Sequence, residues 1–154
     1  MPDLTLTQLK QAYDAALEQI AAESFLEGGM SDLLFRDRMV IGNNPTNSPP
    51  GESNLDGKLR MTLEQAQTFE GRYDIIDAYQ NDATGFSAVA LRDTANPGRV
   101  VLAVRSTELN NDRTRDLGAD VQIFTSGFAF DQILSAQDFL ERVRPQLQPG
   151  EKID

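Results

Sequence analysis

The heptapeptide Arg99–Arg105, "RVVLAVR", restricts this chain more than any other segment. Its apolar residues follow one another without polar alternation, and a strand of that kind must be covered on both faces. That is the environment of a central strand in an α/β sheet. The flanking segments agree with it. "YDIIDAYQ" and "FSAVALRDT" lie either side of the turn residues 81–85 and predict an antiparallel hairpin. "ANPG", Ala95–Gly98, predicts a second turn leading into the apolar strand. Residues 128–144 predict an amphipathic helix with Phe128, Ile133, Ala136, Phe139, Leu140 and Val143 inward. A proline–glycine stop follows, and Lys152-Ile153-Asp154 reads as the opening of another strand.

The first part of the chain is different in kind. Leu6, Leu9, Tyr13, Leu17, Ile20 and Phe25 recur at mostly three- and four-residue spacings, which predicts a helix capped by Thr5 or Thr7 and ended by Gly28-Gly29. Ser31-Asp32 caps a short apolar piece through Val40, and Thr62 opens a further helix with Glu64 and Gln65 in its first turn. Between them, Gly42–Lys58 is rich in proline, serine and asparagine and reads as a loop. Two segments result: a helical extension with its loop over 1–72, and a β-β-β-α unit over 73–154. The extension is open to two uses, as a lid or as plain packing. A chain that stops as a strand begins reads as the leading part of a longer fold, because domain ends normally fall in exposed, weakly contacted segments.

Composition removes whole classes of function. The 154 residues carry a net charge of −10, which disfavours nucleic acid and anionic membranes alike, since both need clustered Lys and Arg. No apolar run approaches a membrane span, and no basic-then-apolar signal opens the chain. Export without a cleaved leader and cytoplasmic residence both stay open. Absence of cysteine removes disulfides, thiolate metal sites and thiol nucleophiles. Absence of histidine removes any Ser-His-Asp triad or imidazole base built from this chain alone. No Walker A motif, G-x-G-x-x-G, H-E-x-x-H or G-x-S-x-G is present.

What remains is a short set of candidates. Ser106 and Thr107 follow the apolar strand directly, where a backbone N–H and a hydroxyl can be aimed at a developing oxyanion. Turn-type residues that merely end a strand are the commoner case. Asp112, Asp116 and Asp120 are spaced as three carboxylates along one helix face, but without the pattern of a calcium loop they read as a solvated, partly ion-paired turn. Asp74, Asp77 and Asp82 read in the same way. Phe128 and Phe130, after Gly127, read as anchors of the last helix.

The blocks "YDIIDAYQNDATGFSAVALRDT", "GRVVLAVRSTE" and "DLGADVQIFTSGFAFDQ", in that order, resemble the amino-terminal half of bacterial lipase-like α/β-hydrolases, relatives of the class 3 (fungal-type) triacylglycerol lipases. The resemblance covers about residues 73–154. Val104-Arg105-Ser106-Thr107 stands where that family has a strand reading F-R-G-[ST], so the resemblance implies Thr107 as an oxyanion-hole residue with Ser106 beside it. Ser106 replaces the usual glycine. Leu117-Gly118-Ala119-Asp120 stands for the family's acid-bearing segment. The implied fold is an incomplete α/β-hydrolase sheet with an N-terminal helical extension, the chain ending before the nucleophile elbow. The implied activity is that of a serine lipase or carboxylesterase acting on apolar acyl esters, inactive as this chain alone. It calls for no cofactor and no metal. Its partners are a lipid or other apolar ester and a complementary C-terminal segment, or a second copy joined through the open sheet. The alternative from another class is a non-catalytic acidic α+β protein-interaction domain. An acidic inhibitor fits the size and charge but has no motif behind it.

Overall fold

The computed structural model describes residues 5–42, 60–79, 82, 86–105 and 130–154. Helix α1 (Leu6–Glu23) is started by Thr5, not Thr7. The Thr5 hydroxyl accepts from the Gln8 N–H, and the Gln8 side chain accepts from the Thr5 N–H. These reciprocal bonds satisfy two donors that the first turn leaves open. The helix ends before the glycine pair. Ser24 stops it by turning its N–H to the Ala21 carbonyl and its hydroxyl to the Ile20 carbonyl. Phe25 then redirects the chain at φ 52°, a left-handed conformation uncommon for an aromatic residue. The apolar stripe of α1 is buried only from Leu17 onward, where the helix lies over the sheet. Leu6, Leu9 and Tyr13 stay exposed.

Ser31 caps α2 (Asp32–Ile41), which turns Phe35 and Met39 inward. Thr62 caps α3 (Leu63–Glu70) with a second capping box, closed by Gln65. The sheet follows: β1 (Tyr73–Tyr79), β2 (Ala88–Asp93) and β3 (Arg99–Val104) form an antiparallel meander, as the hairpin and turn signals predict. The chain returns through α4 (Phe130–Val143) and a 3-10 turn (Arg144–Gln146) to β4 (Lys152–Ile153). β4 lies parallel to β3, giving a mixed sheet of order β1-β2-β3-β4. Gly98, at φ +96°, makes that approach possible: a Cβ there would sit 3.4 Å from the Gly150 carbonyl oxygen, and the Gly98 carbonyl accepts from the Lys152 N–H at 2.7 Å.

Two apolar layers enclose the sheet. On one face Leu17, Ala21, Phe35, Met39 and Phe69 of the first three helices meet Val89, Leu91, Val101 and Ala103. On the other face Phe139 and Val143 of α4 meet Phe86, Ala88 and Ala90, with Leu102 and Ile153 packed alongside. β3 is therefore covered above and below, as its apolar run requires, and the class is α/β. Among the described residues, no helix is long and apolar enough to cross a membrane.

Helix α4 departs from the expected inward face. Phe139 and Val143 are fully buried, but Ile133 is 52% exposed, and Ser135 takes the inner position one turn before Phe139. The Ser135 hydroxyl is held there by donating to Asp82 Oδ2 at 2.6 Å. The helix is thus rotated to seat a satisfied hydroxyl, and Ile133 is carried to its flank. Phe128 lies outside the described residues. Truncating Phe139 to alanine should cost about 3–5 kcal/mol of stability in urea denaturation. Ile133→Ala should stay within about 0.5 kcal/mol.

Candidate functional site

The carboxyl end of β3 is where the sequence places chemistry, and the structure shows how that end is held. The Arg105 N–H donates to the Ser87 carbonyl at 2.9 Å, extending the β2–β3 ladder by one residue. Its buried guanidinium lies 4.3 Å from the centroid of the Phe25 ring, a cation–π contact made by the left-handed residue that ends α1. The Gln19 amide of α1 donates to the Val104 carbonyl and to Glu23 Oε1, both at 3.2 Å. Helix α1 thus fixes the last residues before Ser106 from above. Ser106 and Thr107 themselves lie outside the described residues, as do Asp112, Asp116 and Asp120.

The opposite end of β3 carries a cluster that the sequence does not announce. Asp93, with no exposed side-chain surface, accepts from Arg72 Nε at 2.9 Å and Nη2 at 2.7 Å, a fork-to-fork pair. Its Oδ1 also accepts from the Ala95 N–H at 3.1 Å, which ties the pair to the β2–β3 turn. Arg72 reaches on to Asp14 of α1 at 2.8 Å. Arg99 binds Glu18 of α1 at 2.6 Å and Asp154 at 3.0 Å, and approaches Asp93 at 3.4 Å. The Tyr73 hydroxyl donates to Glu18 at 2.7 Å.

The electrostatics of this cluster are those of a clamp. Burial works against ionisation of Asp93, but the hydrogen bonds and charge of Arg72 outweigh it and hold the carboxyl below its ordinary value. At Asp14 burial is likewise overcome by Lys10 and Arg72. Burial, reinforced by the bond to Glu18, pushes the Tyr73 phenol well above its usual range. None of these three shifts brings a group nearer to titration at neutral pH, the property that proton-transfer catalysis needs. A cleft of about 580 Å³ opens between α1 and α3 beside this cluster, floored by Leu17, Phe69 and Tyr73. Because Tyr73 pairs with Asp93, the cleft sits at the amino end of β3, away from the end that leads to Thr107.

Asp77 and Asp82, two further carboxylates of the sequence analysis, are held in structural contacts. Asp77 binds Arg142 at 2.7 Å and accepts from the Ala78 N–H. Asp82 receives Ser135 and the Phe86 N–H. Among the described residues, no group of three His, Cys, Asp or Glu side chains is placed to hold a metal ion. The described residues form an α/β arrangement with a four-stranded mixed sheet, clamped by ion pairs at the amino end of β3. No family model, no curated protein and no solved structure matches the chain.

Sequence reasoning missed the clamp because its members are far apart in the chain and each reads as an ordinary charged residue. Asp93→Ala should cost about 3 kcal/mol, since it leaves two guanidinium groups facing a partly buried vacancy. Thermal unfolding of the variant against the parent chain checks this. The pH response follows from the lowered carboxyls of Asp14, Asp93 and Glu151, the last held down chiefly by its hydrogen bond from Arg92. Below their ordinary values the unfolded chain binds more protons than the folded one, so stability falls as pH falls. The contribution is complete above pH 4.5, the ordinary glutamate value, and drains away fastest below 3.8. Unfolding midpoints measured across that window should drop steadily, and Asp93→Ala should flatten the slope.

Proposed function

We propose that this chain is the leading part of a serine ester hydrolase of the lipase and carboxylesterase type. Thr107 contributes to the oxyanion hole, and the nucleophile, its acid and its histidine come from polypeptide beyond Asp154. One observation carries the reading: the β3–α4–β4 crossover sets β4 parallel to β3, with Arg99 opposite Lys152 and Val100 opposite Ile153. In parallel α/β units ligands bind at the carboxyl ends of the strands. A strand continuing past Asp154 in this register would run about 4.8 Å from β3, toward the end from which the chain leads to Ser106 and Thr107.

The chemistry follows the ester-hydrolase pattern. The serine oxygen attacks the ester carbonyl carbon as its proton passes to histidine, and negative charge collects on the carbonyl oxygen. The Thr107 N–H and hydroxyl, with the N–H after the nucleophile, stabilise that charge. The alcohol leaves with the proton, and water then releases the acyl group. The favoured substrate is an apolar acyl ester, bound between aliphatic and aromatic walls. Phe25, Arg105 and Gln19 serve as positioning residues, because they hold the end of β3 from which the Thr107 segment departs.

Two results test this. The parent polypeptide should carry G-x-S-x-G shortly after Asp154, and a parent that stops there or lacks the motif overturns the reading. In that parent, Thr107→Ala should lower kcat toward p-nitrophenyl esters by ~10²–10³ without shifting the unfolding midpoint. An unchanged kcat removes Thr107 from the site.

A further inference from the structure

We propose that the cleft between α1 and α3 binds a small organic cation, a primary amine carried on an apolar or aromatic body. The site lies at the amino end of β3 and is independent of the ester-hydrolase reading. One face of each helix makes a wall. Tyr13 and Leu17 stand one turn apart on α1, Gln65 and Phe69 one turn apart on α3. The Gln65 amide donates to the Tyr13 hydroxyl at 3.1 Å and ties the two walls together. The volume, about 580 Å³, is that of a small-molecule pocket.

The charges of the lining select the ligand. Lys10, Asp14, Glu64 and Arg72 all border the cleft. Arg72 is spent on its fork with Asp93 and a further bond to Asp14. Lys10, 66% exposed, is matched by Asp14 at 2.7 Å. Both bonds to Asp14 end on Oδ2, so Oδ1 has no partner among the described residues. Glu64 has no counter-ion among the described residues either. Its place in the first turn of α3 suits the helix dipole but occupies neither carboxylate oxygen. With the pairs cancelled, one negative charge remains, that of Glu64. The unspent acceptors are Glu64, Asp14 Oδ1 and the Thr68 hydroxyl oxygen, whose proton goes to the Glu64 carbonyl. An ammonium group has three donors and no acceptor, which suits this set. A carboxylate would meet the unmatched charge of Glu64.

The apolar body follows from α1. Its stripe runs on past the cleft, where Leu6, 84% exposed, and Leu9 continue the row of Tyr13 without cover. Tyr13, half-exposed, also presents an aromatic ring to a cation. A ligand seated by its ammonium and laid along this row takes from water the apolar surface that the fold leaves there.

Three probes with one body test the proposal on the 154-residue chain: phenylbutylamine, phenylbutanol and phenylbutyrate. Amide chemical shifts locate each probe and their titration gives its affinity. The amine should shift the amides of Tyr13 and Thr68 and bind about tenfold tighter than the alcohol, through a charge-assisted hydrogen bond. The carboxylate should bind weakest. Glu64→Gln should cut the amine's affinity about tenfold and leave the alcohol's affinity and the unfolding midpoint nearly unchanged. Equal binding of amine and alcohol overturns the proposal, as does a carboxylate that binds tightest. Failure of all three probes does so too, and so does amine binding that shifts other amides or survives Glu64→Gln.

Discussion

Everything in this fold is arranged around covering β3. A strand of consecutive apolar residues offers no face to water, so its neighbours must supply a layer on each side and a strand on each edge. Helices α1, α2 and α3 form the upper layer, α4 the lower one, β2 takes one edge and β4 begins the other. The crossover through α4 follows from the same demand. A parallel neighbour for β3 is reached only by a connection long enough to hold a helix, and that helix then roofs the second face.

The ion clamp at the start of β3 solves a different problem. Apolar layers hold α1 against the sheet but leave it free to slide along its axis. Glu18 and Asp14, paired to Arg99 and Arg72, fix the height at which α1 crosses the strands. Burying such groups is costly unless each charge is matched and hydrogen-bonded, and at Asp93 every oxygen has a donor. The same placement sets Gln19 and Phe25 over the other end of β3, where they grip Val104 and Arg105. The helix that is clamped at one end of the strand thereby positions the other, from which the proposed oxyanion segment departs.

Much of the local structure was legible from residue type alone. Thr5, Ser31 and Thr62 cap helices because their short hydroxyls reach an N–H within the first turn, and that geometry needs no tertiary partner. The hairpin, the turn at Ala95–Gly98 and the opening of β4 were equally local. The candidate site was legible only as a motif, since Ser106 and Thr107 lie outside the described residues.

Tertiary structure alone decided the rest. Which way α4 is turned depended on Asp82, far away in sequence, accepting the Ser135 hydroxyl, and periodicity had assigned Ile133 to the core instead. The end of α1 was set by Ser24 and a left-handed Phe25, not by the nearby glycines, because Phe25 is held in place by Arg105. The pairing of Arg72 with Asp93, and of Arg99 with Glu18, was invisible in a linear reading. Charge complementarity between distant residues acquires meaning only when the backbone brings them within hydrogen-bond range. The sequence by itself determined that β3 must be enclosed; the tertiary structure decided what encloses it, because covering a strand is a demand many neighbours can meet and only three-dimensional packing selects among them.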